Sequence, residues 1–139
     1  MANALFANFK NLMLGGGTHT LPNLSSATIE VSLIDAADVT VNVATHQDEA
    51  DITAGIVANV ALGSKTIGTV AAGVFDAADS TFTSVTGDQS ENLVIHKGAG
   101  TASSDPLIAF FDTFTSGMPV TPNGGNITVT WNASGIIVL

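Results

Sequence analysis

The chain of 139 residues carries three lysines, no arginine and twelve acidic residues, for a formal net charge of −9. Because so few cations are available to neutralise phosphates, this balance argues against binding to nucleic acid or to an anionic membrane surface. The sequence has no cysteine, which excludes disulfides and thiolate chemistry, and no apolar run of the length that a membrane-spanning helix needs.

Residues 2–14 predict a short amphipathic helix, the only convincing one in the chain. Its apolar residues form one stripe at helical spacing, and the glycines at 15–17 then end the helix. Two interpretations are open: the helix packs over an open end or edge of a β domain, or it is an arm that docks on a neighbouring subunit or partner. We divide the chain into a helical arm with its glycine linker (1–17) and a β domain (18–139). If the arm docks, its partner-binding residues are Leu5, Phe6, Phe9, Leu12 and Met13.

From residue 27 onward the pattern changes to β-strands. Apolar and polar residues alternate over residues 29–33 and again over 39–43, which predicts two strands that each bury one face. The polar stretch 45–51 predicts a loop or one short helical turn. Strand character resumes over residues 52–62 and, briefly, over 66–70.

Short strands continue through the second half of the chain, over residues 81–85, 93–96 and 106–113, with a last one at 136–139. Between these last two strands, residues 126–132 alternate cleanly, so that every second side chain faces the core. One of these is Trp131, the only tryptophan and therefore the largest single core candidate.

These eight or nine strands follow one another without recurring helices, and this pattern argues against a parallel α/β sheet. The predicted fold class is mainly β: a single antiparallel β-sandwich or barrel with a short N-terminal amphipathic helix.

The motif Asp-Ala-Ala-Asp occurs twice, at residues 35–38 and 76–79, each time between an apolar residue and a threonine-containing strand. A single echo falls short of the three or more units that a repeat protein needs. In both copies we expect the first aspartate to accept hydrogen bonds from backbone amides two or three residues on, and so to close a turn before a strand.

Acidic residues cluster in three places, and each cluster has two interpretations. A calcium site or a catalytic carboxylate pair is the sharper one, but no stretch matches a calcium-binding loop, so a cation would need ligands from separate loops. Because aspartate is a favoured turn residue, we interpret the clusters as turns and solvated surface. They are Asp35 with Asp38, Asp48 with Glu49 and Asp51, and Asp76 with Asp79.

The remaining residue types that carry chemistry form no local motif. The histidines His19, His46 and His96 lack zinc-ligand spacing, and we interpret them as surface or half-buried residues. No serine lies in a nucleophile motif, and no lysine follows the glycines as in a phosphate-binding loop. We therefore predict that the protein is not an enzyme and uses no cofactor or metal ion.

Three stretches of the chain carry a resemblance: MANALFANFKNLMLGGG at the start, VFDAADSTFTSVTGDQSENLVIHK in the middle, and PLIAFFDT with GMPVTPNGGNITVTW near the end. Together they resemble small proteins encoded in the virion structural region of tailed bacteriophage genomes, and the similarity covers most of the chain. The resemblance implies a virion structural protein, and within that class a capsid decoration or cement protein. None of these stretches is a catalytic motif.

Composition agrees with that class, because charged residues make up only 11% of the chain, about half the usual share. Because the surface has so few charges, we expect part of it to contact another protein. The implied partners are the major capsid protein or other virion proteins, with self-association into a homo-oligomer such as a trimer. The expected location is the virion, most of all the capsid surface, after synthesis in the bacterial cytoplasm.

The alternatives are a tail, neck or head-completion component, a module that binds a host-surface glycan, and a soluble hydrolase. A glycan-binding module would need an exposed aromatic or polar groove, whereas the sequence has no tyrosine and assigns its one tryptophan to the core. A hydrolase would need clustered titratable groups, for which the sequence offers no local constellation.

Overall fold

The computed structural model describes residues 3–139. They form ten β-strands, one α-helix and three short 3-10 helices, the first of which is the helical turn expected within residues 45–51. The helices are α1 (Ala7–Met13) and the 3-10 segments Glu49–Asp51, Thr53–Gly55 and Ala102–Ser104. The strands are β1 (Ala4–Leu5), β2 (Ile29–Ile34), β3 (Ile56–Ala61), β4 (Thr66–Ile67), β5 (Val74–Asp76), β6 (Ser80–Phe82), β7 (Asn92–Lys97), β8 (Leu107–Phe111), β9 (Ile127–Val129) and β10 (Ile137–Val138).

The strands pair antiparallel throughout and form three sheets. The largest has five strands in the order β1-β8-β7-β2-β3, the second has the order β10-β5-β4, and the third pairs β6 with β9. Among residues 3–139 no sheet closes into a barrel. The mainly β, antiparallel class with one α-helix is confirmed. Within the described range no helix is long and apolar enough to cross a bilayer, since α1 has only seven residues.

The central strands of the five-stranded sheet are buried on both faces. In β2 every residue except Glu30 is buried, and four successive residues are buried in each of β7 and β8. The predicted one-sided alternation of β2 is therefore wrong at Ser32, which is as fully buried as Val31 and Leu33. A strand covered on both sides has no solvent face, so alternation ceases to report burial.

The N-terminal segment belongs to the same core. β1 pairs with the edge strand β8, and the backbone N–H of Phe6 donates to the carbonyl of Ile108 at 3.1 Å. Phe6, Phe9 and Leu12 are 0%, 2% and 5% exposed, and the two phenylalanines lie in one hydrophobic cluster with β2 and β7. These contacts favour the interpretation that the helix packs over a sheet edge.

Helix α1 ends where the glycines begin. The N–H of Gly15 donates to the carbonyl of Leu12 at 3.1 Å, and that of Gly16 to the carbonyl of Asn11 at 2.8 Å. This is the Schellman pattern, and it places Gly15 at a φ of +88°, which an L side chain rarely adopts.

The strand predicted over residues 39–43 is wrong. This segment has no ladder partner, although Val41 is buried. Its end instead serves the helix, because the carbonyl of Val43 accepts a 2.8 Å hydrogen bond from the N–H of Ala7, the first residue of α1. The first N–H groups of a helix have no intrahelical acceptor, and Val43 supplies one.

The two Asp-Ala-Ala-Asp copies fold differently. In the first, the Asp35 carboxylate accepts from the N–H of Ala37 at 2.7 Å and closes the predicted turn. In the second the prediction is wrong: Asp76 is the last residue of β5, and the N–H of Ala78 donates to the Gly63 carbonyl instead. It is the second aspartate of that copy, Asp79, that binds backbone, as described below for Trp131.

Candidate functional site

The pair of side chains that most resembles a catalytic nucleophile and its base lies inside the five-stranded sheet. Ser32 on β2 and His96 on β7 are diagonal neighbours, and the Ser32 Oγ lies 2.7 Å from His96 Nε2. His96 Nδ1 lies 2.8 Å from the carbonyl of Lys97, which can only accept, so Nδ1 carries the proton and the Ser32 hydroxyl donates to Nε2. A Glu49 carboxylate oxygen lies 3.9 Å from Nδ1, beyond hydrogen-bond distance.

The Ser32 hydroxyl lies as close to the His96 imidazole as a catalytic nucleophile lies to its base. Unlike a catalytic pair, however, the two side chains are not accessible to a substrate. Ser32 and His96 are both 0% exposed, so no substrate carbonyl reaches the hydroxyl in this conformation. Each of the two polar groups satisfies the other within an apolar core, where an unpaired one would be costly. The pair therefore holds β2 and β7 in register. It also corrects the expectation that His96 is a surface or half-buried residue.

Among the described residues, three contacts between a carboxylate and a lysine or histidine side chain lie around segments 47–51 and 97–105. They are His19 with Asp48 at 3.4 Å, His96 with Glu49 at 3.9 Å, and Lys97 with Asp105 at 2.5 Å. The Asp105 side chain is only 1% exposed, and its second oxygen accepts from the N–H of Gly100 at 2.9 Å. These contacts fasten two loops to the end of the five-stranded sheet.

The two residues directly after the glycine linker, Thr18 and His19, are fastened to the same end of the sheet. The Thr18 hydroxyl donates to the Gln47 side-chain carbonyl at 2.6 Å. His19 Nε2 lies 3.2 Å from the carbonyl of Ser103, and Nδ1 accepts from the Asn8 amide of helix α1 at 3.1 Å. Thr18 and His19 thus connect helix α1 to the two loops through polar contacts.

One group of carboxylates is close enough to be considered for a cation. Oxygens of Asp35, Asp38 and Asp88 lie within 4.8 Å of one another, with Asp35 buried and the other two exposed. The sequence paired the first two and missed Asp88, which is distant along the chain. The Asp35 carboxylate already accepts from the N–H of Ala37, and Asp38 and Asp88 are exposed, so we interpret the cluster as a turn with a solvated rim.

An apolar groove borders helix α1 and is called the α1 groove below. Its volume is about 430 Å³, and it is lined by Phe9, Met13, Leu21, Pro22, Asn23, Leu24 and Ile67. Leu21 is 44% and Ile67 54% exposed, and Leu14, next to Met13, is 87% exposed. Apolar side chains that stay exposed in the single chain are available for contact with another protein.

The five residues predicted to bind a partner lie in different surroundings in the structure. Phe6, Phe9 and Leu12 are buried inside the chain, so in this conformation they offer little surface to a second molecule. Met13 and Phe9 line the α1 groove, whereas Leu5 lies in β1. Partner binding by the stripe stays a prediction. Leu14, Leu21 and Ile67 carried no periodic signal that would have singled them out.

A second groove runs along β9 and is called the Trp131 groove below. Two adjoining depressions of about 440 and 290 Å³ share Phe114, Thr115, Val129, Thr130 and Leu93. Residues 127–131 alternate in exposure as predicted. Trp131 packs against the hydrophobic cluster but is only half-buried and lines this groove, so it lies at the margin of the core and not at its centre. The predicted alternation of exposed and less exposed side chains is confirmed. How deeply the less exposed side chains are buried depends on residues that are distant in sequence.

Comparison with known proteins finds no matching family model and no matching curated protein. The resemblance to phage virion proteins therefore stays a prediction.

Proposed function

We propose that the protein is a non-enzymatic structural component of a phage virion, which binds the assembled head as a decoration protein. The observation that carries this proposal is the α1 groove, an exposed apolar surface on a chain with few charges. The sequence resemblance supports the same class. The Ser32–His96 pair supports a non-enzymatic role, because its only potential nucleophile is fully buried.

The proposed partner is the major capsid protein, with Leu21 and Ile67 as the side chains that become buried on docking. Burying a fully exposed leucine or isoleucine side chain contributes about 1.5–3 kcal/mol. Because Leu21 and Ile67 are already about half-buried, they supply only part of the binding free energy, and the rest must come from the surface around them. Binding only the assembled head then stabilises that state by mass action against disassembly. Self-association into a homo-oligomer, a trimer among the options, belongs to this proposal, as does location on the capsid surface.

A β-sandwich is the architecture that we propose for the three sheets. Phe75 of β5, Phe82 of β6 and Ile137 of β10 lie in the same buried cluster as Leu93 and Ile95 of the five-stranded sheet. One core shared between separate sheets is the property that defines sheet-on-sheet packing. Such a rigid body would present the α1 groove in a fixed orientation.

The test is co-sedimentation of the purified chain with heads that lack it. We expect the double variant Leu21→Ser and Ile67→Ser to bind heads at least about tenfold more weakly, which corresponds to the loss of one to two buried apolar contacts. The matched control is Val138→Ser, since Val138 is 65% exposed but lies outside the α1 groove. Equal binding by the double variant and the wild type would contradict this docking surface, and no binding by the wild type would contradict head decoration.

A further inference from the structure

The Trp131 groove differs from the α1 groove in the chemistry of its lining. Three aromatic side chains, Phe111, Phe114 and Trp131, line it and are each half-buried. Although the chain has twelve acidic residues, none of the residues within 3–139 that line the two depressions has a charged side chain. The groove therefore suits a neutral ligand with an apolar face.

Its tryptophan is held in place from three sides. The indole Nε1 donates to the Ser80 hydroxyl at 3.2 Å, and the Trp131 backbone N–H donates to the Asp79 carboxylate at 3.0 Å. The Phe111 ring lies 5.9 Å from the indole, centroid to centroid, at an interplanar angle of 56°. A ring fixed in this way needs no ordering when a ligand binds, which lowers the entropic cost of association.

Uncharged polar groups border the aromatic rings. Thr115 and Thr130 lie in both depressions, and Asn132 and Ser134 extend the lining beside Trp131. The hydroxyls of Thr115, Thr130 and Ser134 make no hydrogen bond within residues 3–139 and are exposed to solvent. They are therefore available as both donors and acceptors for ligand hydroxyls.

We propose that the Trp131 groove binds a neutral oligosaccharide. A sugar ring has one face of C–H groups, which stacks on an aromatic ring, and a rim of hydroxyls, which exchange hydrogen bonds with threonine, serine and asparagine side chains. The two depressions have volumes of the order of small-molecule sites, and because they share five lining residues they adjoin and offer room for more than one sugar ring. The proposal does not depend on head decoration, since a protein at any place on a virion could carry such a site.

The single tryptophan provides the measurement, because all indole fluorescence of the chain comes from this groove. The isolated full-length chain is titrated with maltohexaose, cellohexaose and the hexamer of N-acetylglucosamine, and with polygalacturonate as an anionic comparison. We expect a saturable change in emission with at least one of the neutral oligosaccharides and none with polygalacturonate, which the net charge of −9 repels.

Variants locate the site. We expect Phe114→Ala to weaken the responding oligosaccharide at least tenfold, and the exposed pair Thr115→Ala with Thr130→Val to weaken it without affecting folding. Ile67→Ser, in the α1 groove, should bind like the wild type. The proposal is overturned if none of the three neutral oligosaccharides gives a saturable change, or if the threonine double variant binds them like the wild type. Because no heads are present, either outcome is separate from the test of head decoration.

Discussion

The five-stranded sheet and the region of the Trp131 groove use their side chains in different ways. That region comprises β6, residues 113–118 and residues 127–131 and is called the outer layer below. In the sheet, β2, β7 and β8 are covered on both faces, and their polar groups, such as Ser32 and His96, are paired with each other. In the outer layer the apolar side chains of β9 are half-buried and alternate with exposed threonines. Burial is thus more complete in the sheet. In the outer layer only Ser80 and Phe82 of β6 are buried, and the side chains that line the groove stay accessible to a ligand.

The largest effect is expected from the helix that packs on the sheet. Phe9→Ala should lower the free energy of unfolding by about 3–5 kcal/mol, because it removes a 2% exposed aromatic ring from the core. Urea denaturation measures the change, with Leu14→Ala as the control, since Leu14 is 87% exposed and its truncation should cost less than about 0.5 kcal/mol. For the same reason, deletion of residues 2–14 should unfold the domain. A stable β domain without these residues would restore the interpretation of a detached arm.

A smaller loss is expected from the polar pair inside the sheet. Ser32→Ala leaves His96 Nε2 without its hydrogen bond in a fully buried place, which should cost about 1–3 kcal/mol. Combining Ser32→Ala with His96→Phe removes both partners, so part of the loss should be recovered in a double-mutant cycle. Losses that simply add would contradict direct coupling between the two side chains.

In the outer layer, Trp131→Phe should cost only about 1 kcal/mol. The substitution removes the hydrogen bond from the indole Nε1 to Ser80 but keeps an aromatic ring beside Phe111. Thermal unfolding monitored by circular dichroism gives the change. A loss as large as that of Phe9→Ala would mean that the outer layer is as tightly buried as the sheet.

The smallest effect, and the only expected gain, is at the junction of the two regions. Ser90 is bridged through its backbone to Val120, yet its fully buried hydroxyl has no hydrogen-bond partner within the described residues. Ser90→Ala removes that unpaired group and should raise the free energy of unfolding by up to about 1 kcal/mol. A decrease in stability would show that the hydroxyl has a partner.

The sequence predicted the class of fold because most strands of this chain are apolar runs of the right length. β8 is wholly apolar, β7 has a run of three apolar residues and β2 alternates apolar with polar residues, so each could be recognised as a strand without tertiary information. The alternation of residues 127–131 was equally readable, since period 2 is a local property of extended backbone.

What the sequence could not predict depended on neighbours that are distant along the chain. Ser32 and His96 are 64 residues apart, and only the register of β2 on β7 brings them together. The two Asp-Ala-Ala-Asp copies share their letters, but β5 includes Asp76 as a paired residue, so the local turn seen at Asp35 does not form there. The burial of Trp131 likewise depends on its contacts with Phe111 and Ser80, which are distant in sequence, and could not be read from residues 126–132 alone.

The measurement that most directly tests the central claim is the copy number of this protein in purified virions, by quantitative mass spectrometry against the major capsid protein. A decoration protein on the head lattice should be present in hundreds of copies per particle, in a fixed ratio to the capsid protein. A few to a few dozen copies would place it at the tail, neck or vertices and contradict head decoration, and absence from the particle would contradict a virion role altogether.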